Sequence, residues 1–204
     1  MTKDNIKTSP RIAVFASGAG SNAARLMAYF DTNKEGKIAL VVTNNPMAGV
    51  IEFAQKYEIF VEYIDKNSWL APNNILDILR KHEIDFVVLA GFLWRVPTEL
   101  VSAFPQRIVN LHPSLLPKFG GKGMYGMHVH KAVVEAGETQ TGITVHFVNE
   151  DYDEGAIIAQ YSCPVFKYDT PETVAEKIHE LEKKHFVLTV LEVLMQIDFV
   201  LTKI

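Results

Sequence analysis

The stretch Ile12-Ala13-Val14-Phe15-Ala16-Ser17-Gly18-Ala19-Gly20-Ser21-Asn22 decides the fold. Its first half, Ile12–Ser17, is apolar and partly β-branched and reads as a buried strand. A glycine-rich turn follows, and helical spacing then runs through Asn22–Phe30. Strand, tight turn and helix in that order open a βα unit.

The same alternation recurs along the chain. Strands are predicted over Ile38–Thr43, Ile59–Ile64, Phe86–Ala90 and Arg107–Leu111, and helices near Ala48–Tyr57, Asn73–Lys81 and Pro97–Phe104. Successive βα units imply a parallel sheet covered on both faces. The rhythm breaks over His112–His130, where prolines and glycines without periodicity predict a long loop, and loops of that length are usually functional. Gly142–Val148 and Ala156–Pro164 then read as strands joined by the acidic turn Asn149–Gly155, short enough for antiparallel neighbours. A helix over Pro171–Gln196 closes the chain, with Thr170 as N-cap and Pro171 at its first position. The expected fold class is therefore α/β: an open, mostly parallel twisted sheet with helices on both faces and antiparallel strands near the C-terminus.

With 204 residues, 48% of them hydrophobic, the expectation is one domain over 1–204, residues 1–10 forming a flexible extension. A formal net charge of −4 gives no basic surface for nucleic acid or anionic lipid, so small molecules are the expected partners. The single cysteine, Cys163, allows neither a disulfide framework nor a cysteine metal site within one chain. The polar start lacks the apolar stretch of a secretory signal, and no apolar run is long enough to span a bilayer. A cytoplasmic protein with no membrane partner is expected, and its state as monomer or homodimer stays open.

Three segments carry candidate chemistry. In Ser17–Asn22 the backbone N–H groups of the turn and of the helix start converge, which suits an anion. Gly18, Gly20 and Ala23 also fit a dinucleotide fingerprint. The second strand ends in Thr43-Asn44-Asn45, however, without the acid that ribose hydroxyls of such a cofactor need, which favours a single phosphate. The second segment is Asn110-Leu111-His112-Pro113-Ser114-Leu115-Leu116-Pro117, at the end of the fifth strand. Asn110 and His112 are two apart and project to one side, where an amide donor and an imidazole can hold an oxyanion and move a proton. The acidic turn supplies carboxylates that would favour a protonated ring; spacing does not choose among them. An apolar strip, Val87–Phe92, precedes Leu93-Trp94-Arg95-Val96.

Taken together, V-V-L-A-G-F at Val87–Phe92, the N-x-H-P-S-L-L-P block, and G-I-T-V-H-F-V followed by an acidic loop ending Asp153-Glu154-Gly155 resemble the 10-formyltetrahydrofolate-dependent formyltransferases. The resemblance runs from Ile12 to about Leu194, with the blocks in the family's order. It implies formyl transfer from 10-formyltetrahydrofolate, as co-substrate, to the amine of glycinamide ribonucleotide, a step of purine biosynthesis, without a metal. It implies that Asn110 and His112 stabilise the tetrahedral oxyanion and that Asp153, seven residues after His146, holds the imidazolium. By the same resemblance Gly18, Ala19, Gly20, Ser21 and Asn22 hold the ribose phosphate and Glu182 the nucleotide. The pterin lies along Leu89, Gly91, Phe92, Leu93, Trp94, Arg95 and Val96, near Asn110 and Asp153. The arginine of that strip stands one position later than the family's pattern, which bears on the folate tail.

Secondary candidates are Ser114, Lys118, His128, His130 and His146. Lys118–His130 is a candidate lid whose glycines permit closure, with Lys122 near phosphate. Related formyltransferases that act on tRNA carry a further RNA-binding domain, and folate deformylases use the same three residues with water as acceptor. A nucleotide-binding module or dehydrogenase centred on the glycine turn is the alternative from another class.

Overall fold

The computed structural model describes residues 9–197; the expected N-terminal extension falls, for residues 1–8, outside them. Seven strands form one sheet: β1 (Arg11–Phe15), β2 (Lys37–Thr43), β3 (Phe60–Tyr63), β4 (Phe86–Leu89), β5 (Ile108–His112), β6 (Gln140–Phe147) and β7 (Ile157–Pro164). The helices are α1 (Ser21–Thr32), α2 (Val50–Lys56), α3 (Lys66–Leu70), α4 (Pro72–Lys81), α5 (Thr98–Ala103), α6 (Met127–Glu135) and α7 (Pro171–Gln196). The strand order is β3-β2-β1-β4-β5-β6-β7. The first five pair in parallel, and β6 and β7 run antiparallel. This is the expected mixed sheet.

Alternation along β1 splits the core into two layers. Ile12, Val14 and Ala16 pack with Leu26, Met27, Phe30, Phe186 and Val190 on one face. Ala13 and Phe15 pack with Trp69, Ile75, Leu79 and Leu100 on the other. Because successive side chains of a strand point to opposite faces, a strand buried on both sides must be apolar throughout, as β4 is and as β1 is from Ile12 onward. Phe15, Trp69, Phe92 and Trp94 meet as tilted or edge-on aromatic pairs beneath the segment that follows β4.

Two helices were not expected. α3 is a single short helix started by Asp65, whose side chain accepts from the Ser68 N–H. Its one buried residue, Trp69, leaves no amphipathic period to read. α6 begins inside the expected loop, so that loop ends at Gly126. Its buried residues, Val129, His130 and Val133, form a stripe with a histidine where an apolar residue is usual. The last helix starts as expected, with Thr170 and Thr173 in a reciprocal capping box.

Since the chain winds from β1 to β3 in one direction and returns to place β4 on the other side of β1, the segments leaving β1 and β4 diverge. In open α/β sheets a ligand crevice lies at this switch point, outside the carboxyl ends of the strands.

Candidate active site

A cavity of about 670 Å³ occupies that crevice. The glycine turn Gly18–Asn22, the segment Leu89–Val96, Asn110, His112, Gly121–Gly126, His130, His146, Asn149, Tyr152, Asp153, His179 and Glu182 all line it. Distant stretches of sequence therefore share one space.

At its floor, register places the polar groups. β5 and β6 pair antiparallel with Asn110 opposite His146 and His112 opposite Thr144. The Asn110 amide nitrogen lies 3.1 Å from His146 Nε2 and 3.5 Å from Asp153 Oδ1. His112 Nδ1 lies 3.5 Å from Asp153 Oδ2, while His112 Nε2 donates to the Phe119 carbonyl at 2.8 Å. Asp153 itself has a left-handed backbone, φ 56°, and its Oδ2 accepts the Gly121 N–H at 2.8 Å. Gly120 packs closely here: a Cβ would come within 2.6 Å of the Leu116 Cδ2 and 3.3 Å of the Asp153 Cβ, so Leu116 would have to shift. Burial pushes the His112 imidazole below its ordinary range, against the opposing pull of the Asp153 carboxylate and the Phe119 carbonyl.

A second layer fixes the N-x-H-P block. Thr144 Oγ1, wholly buried, donates to the Ser114 carbonyl and accepts from the Leu116 N–H and the Gln160 amide. Ser114 Oγ donates to the Lys118 carbonyl at 2.7 Å. Ser114 is thus a bracing residue of the turn rather than a cavity group. Lys118 reaches outward to Glu138 at 2.8 Å.

At the other end, the Gly20 backbone is left-handed, φ 77°, and a Cβ there would strike Val50 at 2.6 Å. Only glycine allows this approach. Asn22 donates from Nδ2 to Glu182 Oε2 at 2.9 Å, and its Oδ1 accepts from Arg25. Burial raises the Glu182 carboxyl above its ordinary range, the Asn22 hydrogen bond opposing. The apolar strip is anchored where Ser17 Oγ accepts the Leu93 N–H and Trp69 donates to the Arg95 carbonyl. Arg95 bridges to the acidic turn through the Glu150 carbonyl and sits over the Tyr152 ring.

The expected site residues thus converge, with one exception besides Ser114 and Lys118. His128 is exposed on α6 beside Tyr125, and only His130 of that pair reaches the cavity wall. Burial, then the neighbouring His179 and His112, lowers the His130 pKa to about 4. Lining residues that escaped the sequence reading include His179 and Tyr152. His179 lies one turn before Glu182 on α7, and Tyr152 projects from the acidic turn; spacing from Glu182 would have pointed to the first.

An open α/β sheet whose switch-point crevice joins an anion-binding turn to an Asn, His and carboxylate cluster defines a group-transfer type of site. Residues 10–190 match the family profile described as "Formyl transferase", and the chain belongs to the formyltransferase family. It is 46% identical over 183 residues to the chloroplastic phosphoribosylglycinamide formyltransferase of Arabidopsis thaliana, covering 87% of this chain and 63% of that relative. The chain thus spans less than two thirds of the plant relative's length. To the phosphoribosylglycinamide formyltransferase of Bacillus subtilis it is 37% identical over 181 residues, covering 86% of this chain and 90% of that one. The crystal structure of phosphoribosylglycinamide formyltransferase from Bacillus halodurans superposes with a TM-score of 0.84 at 34% identity, covering 93% of this chain and 98% of that one.

Proposed function

We propose that this chain transfers the formyl group of 10-formyltetrahydrofolate to the amine of glycinamide ribonucleotide, giving the N-formyl product and tetrahydrofolate. The observation that carries the reading is that the Asn110, His112 and Asp153 cluster, the glycine turn and the apolar strip line one and the same cavity. Gly18–Asn22 supply N–H groups and a helix start for the ribose phosphate, and Glu182, held by Asn22, accepts from the nucleotide. The strip Leu89–Val96, with Trp94 in its wall, suits a flat heterocycle whose polar edge finds backbone groups.

Holding both substrates in one crevice makes the transfer effectively unimolecular. The amine nitrogen attacks the formyl carbon; a C–N bond forms and the carbonyl oxygen becomes an oxyanion. Asn110 Nδ2 and the His112 ring stabilise that charge. The amine proton passes to the His112 and Asp153 pair and from there to the departing folate nitrogen as the original C–N bond breaks. No covalent enzyme intermediate and no metal step is invoked.

The test is the initial rate of deformylation of 10-formyltetrahydrofolate with and without glycinamide ribonucleotide. Amine-dependent loss of the formyl group supports the reading. Equal rates without the amine make the chain a hydrolase, and no turnover at all overturns the proposal.

A further inference from the structure

The acidic turn Asn149–Gly155 is fastened unevenly. After the turn, the Ala156 carbonyl accepts the Phe147 N–H at 2.9 Å, and a Cβ on Gly155 would come within 1.7 Å of the Phe147 carbonyl oxygen. Asp153 is held by its own side chain, which accepts the Gly121 N–H. The tip before it, Asn149 to Tyr152, is exposed. Among the described residues, the hydrogen bonds and ring contacts that reach this tip from outside the turn come from Arg95. Its guanidinium donates to the Glu150 carbonyl and lies over the Tyr152 ring, 5.7 Å from the centroid. We propose that Arg95 is a positioning residue: it latches the tip of the acidic turn to the segment after β4 and thereby sets the Asp153 carboxylate at the cavity floor.

The two sides of the latch differ in rigidity. Trp69 Nε1 donates to the Arg95 carbonyl at 2.9 Å, Ser17 Oγ accepts the Leu93 N–H at 3.0 Å, and Phe92 and Val96 are buried on either side. The main chain that carries Arg95 is therefore fixed, and the side chain alone crosses to the turn. A guanidinium suits this task. It is planar, donates in its plane and stacks through its weakly hydrated face, whereas an ammonium is a hydrated point charge. On the other side, Glu150, Asp151, Asp153 and Glu154 crowd like charges into one short turn, and their repulsion favours opening. Arg95 sets a cation against them. Asp153, the residue after Tyr152, has a left-handed backbone, φ 56°. Such a conformation persists where its surroundings hold it, and a grip on Glu150 and Tyr152 acts on it from the preceding residues.

Arg95, Tyr152 and Trp94 all line the cavity, so the latch forms part of the wall on the side of the apolar strip. The nucleotide's end of the crevice is built from Gly18–Asn22 and Glu182, which the latch does not touch. Opening it therefore acts on the setting of Asp153 and leaves the nucleotide's contacts in place. The consequence for turnover rests on the transferase reading; the placement of Asp153 does not.

The experiment has two arms on the full chain. In the first, amide hydrogen exchange of the ¹⁵N-labelled protein is compared between the native chain and Arg95→Met, which keeps an apolar stem without donor or charge. The Gly121 amide, which Asp153 accepts, reports whether the carboxylate stays in place. It is expected to exchange roughly 5- to 30-fold faster in Arg95→Met, the scale on which one cation–ring contact and one charged hydrogen bond bias an equilibrium, with the amides of β1 unchanged. An unchanged Gly121 rate, or a rise shared by β1, overturns the inference whether or not the chain turns over. In the second arm, kcat and KM are measured for Arg95→Met, Tyr152→Leu, their double variant and Tyr152→Phe. Arg95→Met is expected to lower kcat several-fold with KM for the nucleotide unchanged, Tyr152→Phe to lose less than Tyr152→Leu because it keeps the ring, and the double variant to be no worse than Arg95→Met. Losses that multiply in the double variant, or a loss confined to KM for the folate, would remove the latch. Absence of turnover in the native chain would instead overturn the transferase reading, and the exchange result would then decide the latch alone.

Discussion

Asn110 and His112 share a face because residues two apart on a strand must, and the antiparallel register of β6 then sets His146 against the first and Thr144 against the second. If Asn110 is an oxyanion donor, its removal acts on the transition state. Asn110→Ala should lower kcat by on the order of 100- to 1000-fold with little change in KM, read from steady-state kinetics. A variant that altered only KM would make the residue a substrate-binding one.

Glu182 makes a different prediction. Its pKa is raised by burial, so the folded chain holds the carboxylate less readily than the unfolded chain does. Below the unfolded pKa both states are protonated and no penalty exists. The penalty grows as pH rises through the folded pKa. Glu182→Gln should therefore melt higher than the native chain at neutral pH, the gap closing in acid, while KM for the nucleotide rises. Asn110, His112 and Asp153 were legible as a set only through the motif resemblance. Spacing alone offered several carboxylates in Asn149–Gly155 and no reason to prefer one, and the Asn22 to Glu182 contact joins residues far apart in sequence.

Among the elements, the N-x-H-P turn and α6 carry the most testable consequences. Thr144 Oγ1 satisfies three polar partners in a dry setting. Thr144→Val, similar in shape, strands them, and should cost about 1–3 kcal/mol of unfolding free energy in denaturant titrations. A change near zero would mean that the turn holds itself.

α6 carries His130, buried, with Nδ1 lacking a hydrogen-bond partner and a pKa lowered from 6.5 to about 4. Its neutral ring favours the folded state above pH 6.5. That contribution is lost as pH falls from 6.5 toward 4, because the unfolded chain takes up the proton first. In urea titrations across this range, His130→Gln should lose stability less steeply than the native chain. A parallel pair of curves would contradict the assigned burial. The strands were legible because each is a dense apolar run, and α7 because its cap and length are unambiguous. α6 was not, since its buried stripe includes a histidine and its start follows four glycines that read as loop.

For the whole molecule, alternation in β1 and the repeated βα rhythm were enough to imply a covered parallel sheet with an antiparallel end. Strand order was not contained in that rhythm: nothing local in Phe86–Leu89 says that β4 adds beside β1 rather than beyond β3. That choice makes the switch point, and the switch point brings the glycine turn, the apolar strip and the β5 end into one cavity. Among the described residues no helix is long and apolar enough to cross a membrane.

The central claim is direct transfer of the formyl group between two molecules held in that cavity. It is tested most directly by supplying 10-formyltetrahydrofolate labelled with ¹³C in the formyl group, together with glycinamide ribonucleotide, and following the label by mass spectrometry in the native chain and in His112→Ala. The label should appear in the nucleotide, one formyl per acceptor, and His112→Ala should abolish its appearance. Label recovered as free formate, or transfer undiminished in His112→Ala, would contradict it.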